Sequence, residues 1–299
     1  MKVVCAAVVV FLTLAAPALA QQAPADQVQA AETLLKSGDV AGGIAALQKI
    51  AAASPSSFPV HLLLGRFLDL EGRHAEARTY LEQAVKLAPD DERNTALTAL
   101  AVSYAFESKP DEAARYYQRV YDADVQADDR GAAAGRANAL GRIYLESGNV
   151  AKAEQWYKTG YEMARTIPGL PSAQSALWEM RWHNAMGRIA ARRGQVKAAQ
   201  EHAAAAKALL DRGGNENQAV FYPYLLGYIA FFGKDYKRAV DELTKGDLTD
   251  PFVLGLIAQS YEKLGDRPKA EEYFRKVLAT PAHNINSAFA RPLARAFLR

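Results

Sequence analysis

Residues 65–89 read GRFLDLEGRHAEARTYLEQAVKLAP. A small residue, Gly65, is followed by Leu68, a second glycine at Gly72, then Ala77, Leu81, Ala84 and Pro89. The phrase returns about every 34 residues or a little more. A degenerate first copy carries Gly38, Gly43, Leu47, Ile50 and Pro55, and the third carries Ala101, Tyr104, Ser108, Ala113, Tyr117 and Val120. The fourth has Gly141, Tyr144, Gly148, Ala153, Tyr157 and Gly160; the fifth has Gly187, Ala190, Gly194, Ala199, Ala203 and Ala206. Gly227, Ala230, Lys234, Ala239, Leu243, Gly246 and Pro251 make the sixth, and Ala258, Tyr261, Gly265, Ala270, Phe274 and Val277 the seventh. A period of this length specifies stacked two-helix units.

Each residue type has a physical reason. The first small residue stands where the two helices of a unit meet, so a large side chain would separate them. The next glycine ends the first helix, where a left-handed residue is cheapest as glycine. Asp39, Asn149 and Asp266 follow such glycines and start the turn into the second helix. Asp250-Pro251 reads as an N-cap followed by proline at the first helical position.

Taken together, the copies resemble tetratricopeptide repeats, of an exported bacterial type. The resemblance implies an all-α, right-handed superhelical solenoid of about seven helix-turn-helix repeats. Their approximate limits are 24–57, 58–91, 94–128, 130–167, 172–212, 218–249 and 250–281, with a capping helix over 287–298. Spacing grows to about 40–46 residues around the fourth and fifth copies, beyond the ~34 of a standard repeat. Longer helices or loops at Gln126–Arg130, Thr166–Pro171 and Gly213–Asn217 are expected to absorb the excess.

The first 20 residues read as an export signal. Met1-Lys2 supplies the positive start, Val3 to Leu14 an apolar run, and Ala18-Leu19-Ala20 a small-residue cleavage pattern. An uncleaved anchor is the competing reading, because the run approaches the ~20 residues of a membrane span. Pro17 and the small-x-small ending favour cleavage, and no other apolar run is long enough to span a bilayer. The expected location is the periplasm or the cell exterior. Cys5 lies inside the signal, so the cleaved chain has no thiol for disulfides, thiol catalysis or metal binding.

Charge is unevenly placed. Residues 21–129 carry 10 basic and 17 acidic side chains, residues 130–212 carry 13 and 6, and residues 213–299 carry 12 and 10. A basic middle suits an acidic partner, although solvated helix faces produce the same asymmetry. Export and the lack of a basic run with interleaved aromatics argue against nucleic acid. His61, His74, His183, His202 and His283 form no metal-spaced pair, Gly213-Gly214 lacks a following Lys-Ser or Lys-Thr, and no nucleophile turn is present. No enzyme, cofactor or metal is therefore expected.

The resemblance also implies that the first helix of each repeat faces a concave groove. Ligand-facing positions fall three before and one after the first small residue. They select Leu62 and Arg66, Thr98 and Val102, Asn138 and Arg142, Asn184 and Arg188, Tyr224 and Tyr228, and Gly255 and Gln259. Asn-x-x-x-Arg occurs twice, and four residues apart on a helix is one face. Arg192 continues the row one turn later. Arginine grips carboxylates with two parallel hydrogen bonds, asparagine bonds peptide backbone, and tyrosine suits a partly wet groove. Asn138, Arg142, Asn184, Arg188, Arg192, Tyr224 and Tyr228 are the candidate site for a peptide or protein segment, with envelope assembly or secretion as the expected setting. The alternatives are an internal polar network in which Arg142 and Arg188 pair with Glu146, and inter-repeat packing of the tyrosines. For the whole protein, the rivals are a self-associating structural chain and an accessory module of a cell-wall enzyme system.

Overall fold

A computed structural model describes residues 25–299; the 1–20 segment read as an export signal lies outside the described residues. The helices are α1 (Ala25–Ser37), α2 (Val40–Ala53), α3 (Phe58–Leu70), α4 (His74–Leu87), α5 (Arg93–Phe106), α6 (Pro110–Gln126), α7 (Arg130–Glu146) and α8 (Val150–Arg165). They continue as α9 (Ser172–Arg192), α10 (Val196–Asp211), α11 (Phe221–Phe232), α12 (Tyr236–Leu243), α13 (Pro251–Lys263), α14 (Arg267–Ala279) and α15 (Ile285–Phe297), with a 3-10 turn at Glu216–Gln218. No strand occurs among the described residues. The class is an all-α solenoid of helix pairs followed by a separate C-terminal helix.

The chain divides into two compact units at Val60–His61, within α3. In the first, α1 and α2 form a helical hairpin. Asp39 caps α2 by accepting from the Gly42 amide at 2.9 Å. A Cβ on Gly43 would lie 2.5 Å from the Leu35 side chain, so the two helices approach closely there.

The second unit, His61–Arg299, uses one turn between the two helices of each of its six repeats. In each, a backbone amide reaches the carbonyl five residues earlier: Arg73 to Leu68, Lys109 to Tyr104, Asn149 to Tyr144, Gln195 to Ala190, Asp235 to Ala230 and Asp266 to Tyr261, at 2.8–3.1 Å. The acceptors are the aromatic, Leu or Ala positions of the sequence phrase. This is the Schellman closure, and it needs a left-handed residue just before the donor. Gly148 supplies it at φ 91°; Ser108 at 57° and Lys234 at 64° take the same place where a copy lacks glycine. Asn149, Asp235 and Asp266 then cap the second helix by accepting from an amide three residues on.

Helix contact follows from residue size. A Cβ on Gly141 would lie 2.8 Å from the Tyr157 ring. Ala77, Ala113, Ala153, Ala199, Ala239 and Ala270, one per repeat, are wholly buried. Longer elements absorb the wide spacing of the middle repeats. Helix α9 runs for 21 residues, and residues 166–171 and 212–220 connect it and α10 to their neighbours.

Helix α15 does more than cover the last pair. Ala290, Ala294 and Phe297 pack with Phe274 and Leu254 of that pair, and α15 also packs against α5. Arg291, 4% exposed, donates from Nη1 to the carbonyls of Leu278 (2.8 Å) and Thr280 (2.9 Å) at the end of α14. Its Nη2 donates to Leu70 at the end of α3 (2.7 Å). Burial, then the neighbouring Arg295 charge, pull this guanidinium down to about 10; the carbonyl acceptors, at the negative ends of two helices, offset that cost. Just before α15, His283 Nε2 lies 2.9 Å from the Asp69 carboxylate. That carboxylate is buried and also meets Ser103 Oγ and His74 Nδ1, each at 3.0 Å. The C-terminal helix therefore joins the last repeat of this unit to its first.

Candidate functional site

Two helix-borne pairs and a tyrosine converge. Asn138 and Arg142 project from α7, Asn184 and Arg188 from α9 and Tyr224 from α11, and all five line one cleft of about 460 Å³. The four-residue spacing within each pair keeps both side chains on one helix face. Tyr117 and Tyr157 contribute from the second helices of their repeats, and Arg181 stands one turn before Asn184. Asn284, Ile285 and Asn286, at the start of α15, complete the wall. The Asn184 amide reaches the Phe221 carbonyl at 3.5 Å, tying α9 to the beginning of α11.

Arg192 and Tyr228 stand apart from this cleft. Tyr228 is wholly buried, and its hydroxyl donates to Glu146 at 3.2 Å. Arg192 lies 3.8 Å from the same carboxylate and over the Phe232 ring at 4.7 Å. It lines a second cleft of about 390 Å³ with Phe231, Phe252 and Phe289.

Glu146 is the electrostatic centre of this region. Its side chain is 4% exposed and lies 3.6 Å from Arg188 Nη1. Arg188 Nη2 donates to the Tyr157 hydroxyl at 3.0 Å. Arg142 has no such partner: its guanidinium rests over the Phe252 ring at 4.6 Å, and its buried Nε and Nη2 make no hydrogen bond. The buried Arg188 Nε and Tyr224 hydroxyl also lack hydrogen bonds. Burial opposes the Arg188 charge, but the surrounding tyrosines and Glu146 outweigh it and hold the guanidinium above its usual value. Burial raises the Tyr224 phenol and lifts that of Tyr228 well above its usual value. Both remain neutral donors at physiological pH.

Asp250 is the other carboxylate nearby. Burial pushes its carboxyl up, against the pull of Arg142. Its two oxygens are engaged by the Phe252 amide (2.7 Å) and the Asn286 side chain (2.6 Å). Four guanidiniums, of Arg142, Arg181, Arg188 and Arg192, thus stand against two carboxylates, leaving two excess positive charges. No Ser, His, Asp or Glu lines the first cleft, so its lining offers neither a nucleophile nor a general base of those types. Among the described residues no group of three or more His, Cys, Asp or Glu is arranged to hold a metal ion. The arrangement can hold an anionic or hydrogen-bonding group between rigid helices.

Sequence reasoning missed Arg181 and the Asn284–Asn286 wall. Arg181 carried a signal, three residues before Asn184 and on the same face. Asn284 and Asn286 carried none, because only the path of α15 brings them here.

Stacked helix pairs joined by a recurring turn define a helical-repeat protein. Sequence profiles of the tetratricopeptide repeat match residues 34–101, 92–166 and 253–284. The chain belongs to the tetratricopeptide-repeat family. No curated protein matches it. Among solved structures, a tetratricopeptide repeat protein from Parabacteroides merdae is 13% identical over 91% of this chain and 96% of its own, with a TM-score of 0.52. The apo form of RapI is 10% identical over 91% and 97%, with a TM-score of 0.55. A putative kinesin light chain of Podosopora anserina, with nearly identical TPR-like repeats, is 19% identical over 62% and 94%, with a TM-score of 0.50. At these identities the likeness concerns the fold alone.

Proposed function

We propose that the chain is an exported scaffold that binds a peptide or protein segment bearing an acidic group in the cleft between α7, α9 and α11. The observation that carries this reading is the convergence of Asn138, Arg142, Asn184, Arg188 and Tyr224 on one cleft. The asparagines hydrogen-bond the segment's backbone, and the guanidiniums receive its carboxylate. The signal-like segment 1–20 supports a periplasmic or secreted location, with envelope assembly or secretion as the setting.

A peptide array probed with the purified protein tests the binding role. Asn138→Ala with Asn184→Ala is expected to reduce binding across the array while leaving the melting temperature within a few degrees of wild type. Unchanged binding would place the recognition surface elsewhere. Export is checked separately, by N-terminal sequencing of the protein recovered outside the cytoplasm. A chain starting at Gln21 is expected; one retaining Met1 contradicts cleavage.

A further inference from the structure

Residues 285–297 read INSAFARPLARAF and fold as α15. By itself this sequence is a poor helix. Pro292 sits inside it, has no amide for the Ala288 carbonyl and crowds that oxygen with its ring. Proline is the costliest residue in a helix interior, and a helix of 13 residues is marginal alone in any case. Docking, and not local preference, holds α15 in shape.

The surface under α15 is specific. A Cβ on Gly255 of α13 would lie 3.2 Å from the Ala290 Cβ, and Val102 of α5 shares a buried cluster with Ile285 and Ala288. Val102 and Gly255, two of the positions expected to face an open groove, thus meet α15. Arg291 donates to the carbonyl ends of α3 and α14, both negative helix ends. The fit is nonetheless incomplete. Cavities lie along α15 at three places: about 460 Å³ beside residues 284–286, about 390 Å³ beside Ala288, Phe289, Pro292 and Leu293, and about 340 Å³ beside Pro281 and His283 just before it. Leu293 is 46% exposed. The buried Arg291 Nε and His283 Nδ1 make no hydrogen bond. An element with an interior proline, cavities on its flanks and unmet donors belongs to the least stable part of a fold.

We infer that α15 is a strap: hinged on residues 280–284, it leaves the repeats as one unit, and the strip it uncovers takes an amphipathic helix of the same chemistry from a partner. The strip is apolar. It includes Val102, Phe106 and Leu254, each 3% exposed or less while α15 is docked, so the open form gains most when another helix covers it. The strip also defines that helix. It needs a small side chain opposite Gly255 and a cation between the ends of α3 and α14. Helix α15 meets both conditions and therefore competes with the partner. Its opening does not depend on what the cleft between α7, α9 and α11 takes.

Hydrogen exchange read by mass spectrometry on the purified protein measures the opening, and a fluorescent peptide of residues 281–299 is the partner probe. Amides of 285–297 should exchange together, at least about 10-fold faster than those of α13. Pro292→Ala restores an interior amide and should slow that exchange roughly 10- to 100-fold. It should weaken peptide binding by the same factor, because the peptide binds only the open form. This variant is expected to be more stable than wild type, so the test does not rely on a weakened fold. Arg291→Ala in the protein loosens the strap and should tighten peptide binding several-fold, whereas the same substitution in the peptide should abolish binding. Exchange of 285–297 as slow as that of α13, exchange or peptide binding unmoved by Pro292→Ala, no peptide binding to any of the three proteins, or equal binding of the Arg291→Ala peptide would overturn the inference.

Discussion

Glu146 separates two arginines, Arg188 and Arg192, that the sequence places on one continuous row. Replacing it with alanine leaves both guanidiniums and the Tyr228 hydroxyl without their shared acceptor. Glu146→Ala should cost about 3–5 kcal/mol in urea denaturation, the usual loss for breaking one side of a buried ion pair. Tyr228→Phe should cost only about 1 kcal/mol, because one hydrogen bond is lost and the ring stays packed. Lys234 offers the opposite sign. It holds φ 64° where four other repeats use glycine, so Lys234→Gly should stabilise the protein by about 0.5–1 kcal/mol in the same assay. The glycines and their following Asp or Asn residues were legible in the sequence because turn chemistry is local. Burial of Tyr228 was legible only as the alternative to a groove position. Its four-residue spacing from Tyr224 fixes a shared helix face, but Glu146 and Phe232 determine what covers that face.

Elements show where long-range packing overrides local reading. The sequence places a terminal helix over 287–298, and α15 spans Ile285–Phe297. Nothing local announces that Arg291 will reach the Leu70 carbonyl, 221 positions earlier in the chain. Arg291→Ala should destabilise the protein by about 3 kcal/mol and open the 280–284 segment to protease, as limited proteolysis with mass spectrometry would detect. A second prediction concerns α9 and α10, where His183 Nδ1 and His202 Nδ1 lie 3.0 Å apart. Burial lowers both pKa values, and for His183 the neighbouring His202 adds to the effect. The folded pair thus binds protons less readily than the unfolded chain, so its contribution is present above the usual value of 6.5 and is lost as pH falls through the lowered folded values. Thermal melts from about pH 8 to 5 should show falling stability on the acid side, with a shallower fall in His202→Gln.

For the molecule as a whole, repeat architecture was the most legible feature, since a small residue, a glycine and an alanine recur at matched positions from Gly65 to Ala270. The candidate cleft was legible in part. Asn138, Arg142, Asn184, Arg188 and Tyr224 meet because regular stacking places equivalent positions side by side. Asn284 and Asn286 join them only through α15, whose path is set by Asp69 and Leu70 at the start of the second unit. The basic character of residues 130–212 takes physical form in the two surplus guanidiniums around the cleft. The most direct measurement is the residue preference of peptides retained from a random array by the wild-type, Arg142→Gln and Tyr224→Phe proteins. Enrichment of an acidic group with wild-type protein, reduced in Tyr224→Phe and lost in Arg142→Gln, is the expected result. An absent acidic preference, or one that persists unchanged in both variants, would contradict recognition through this cleft.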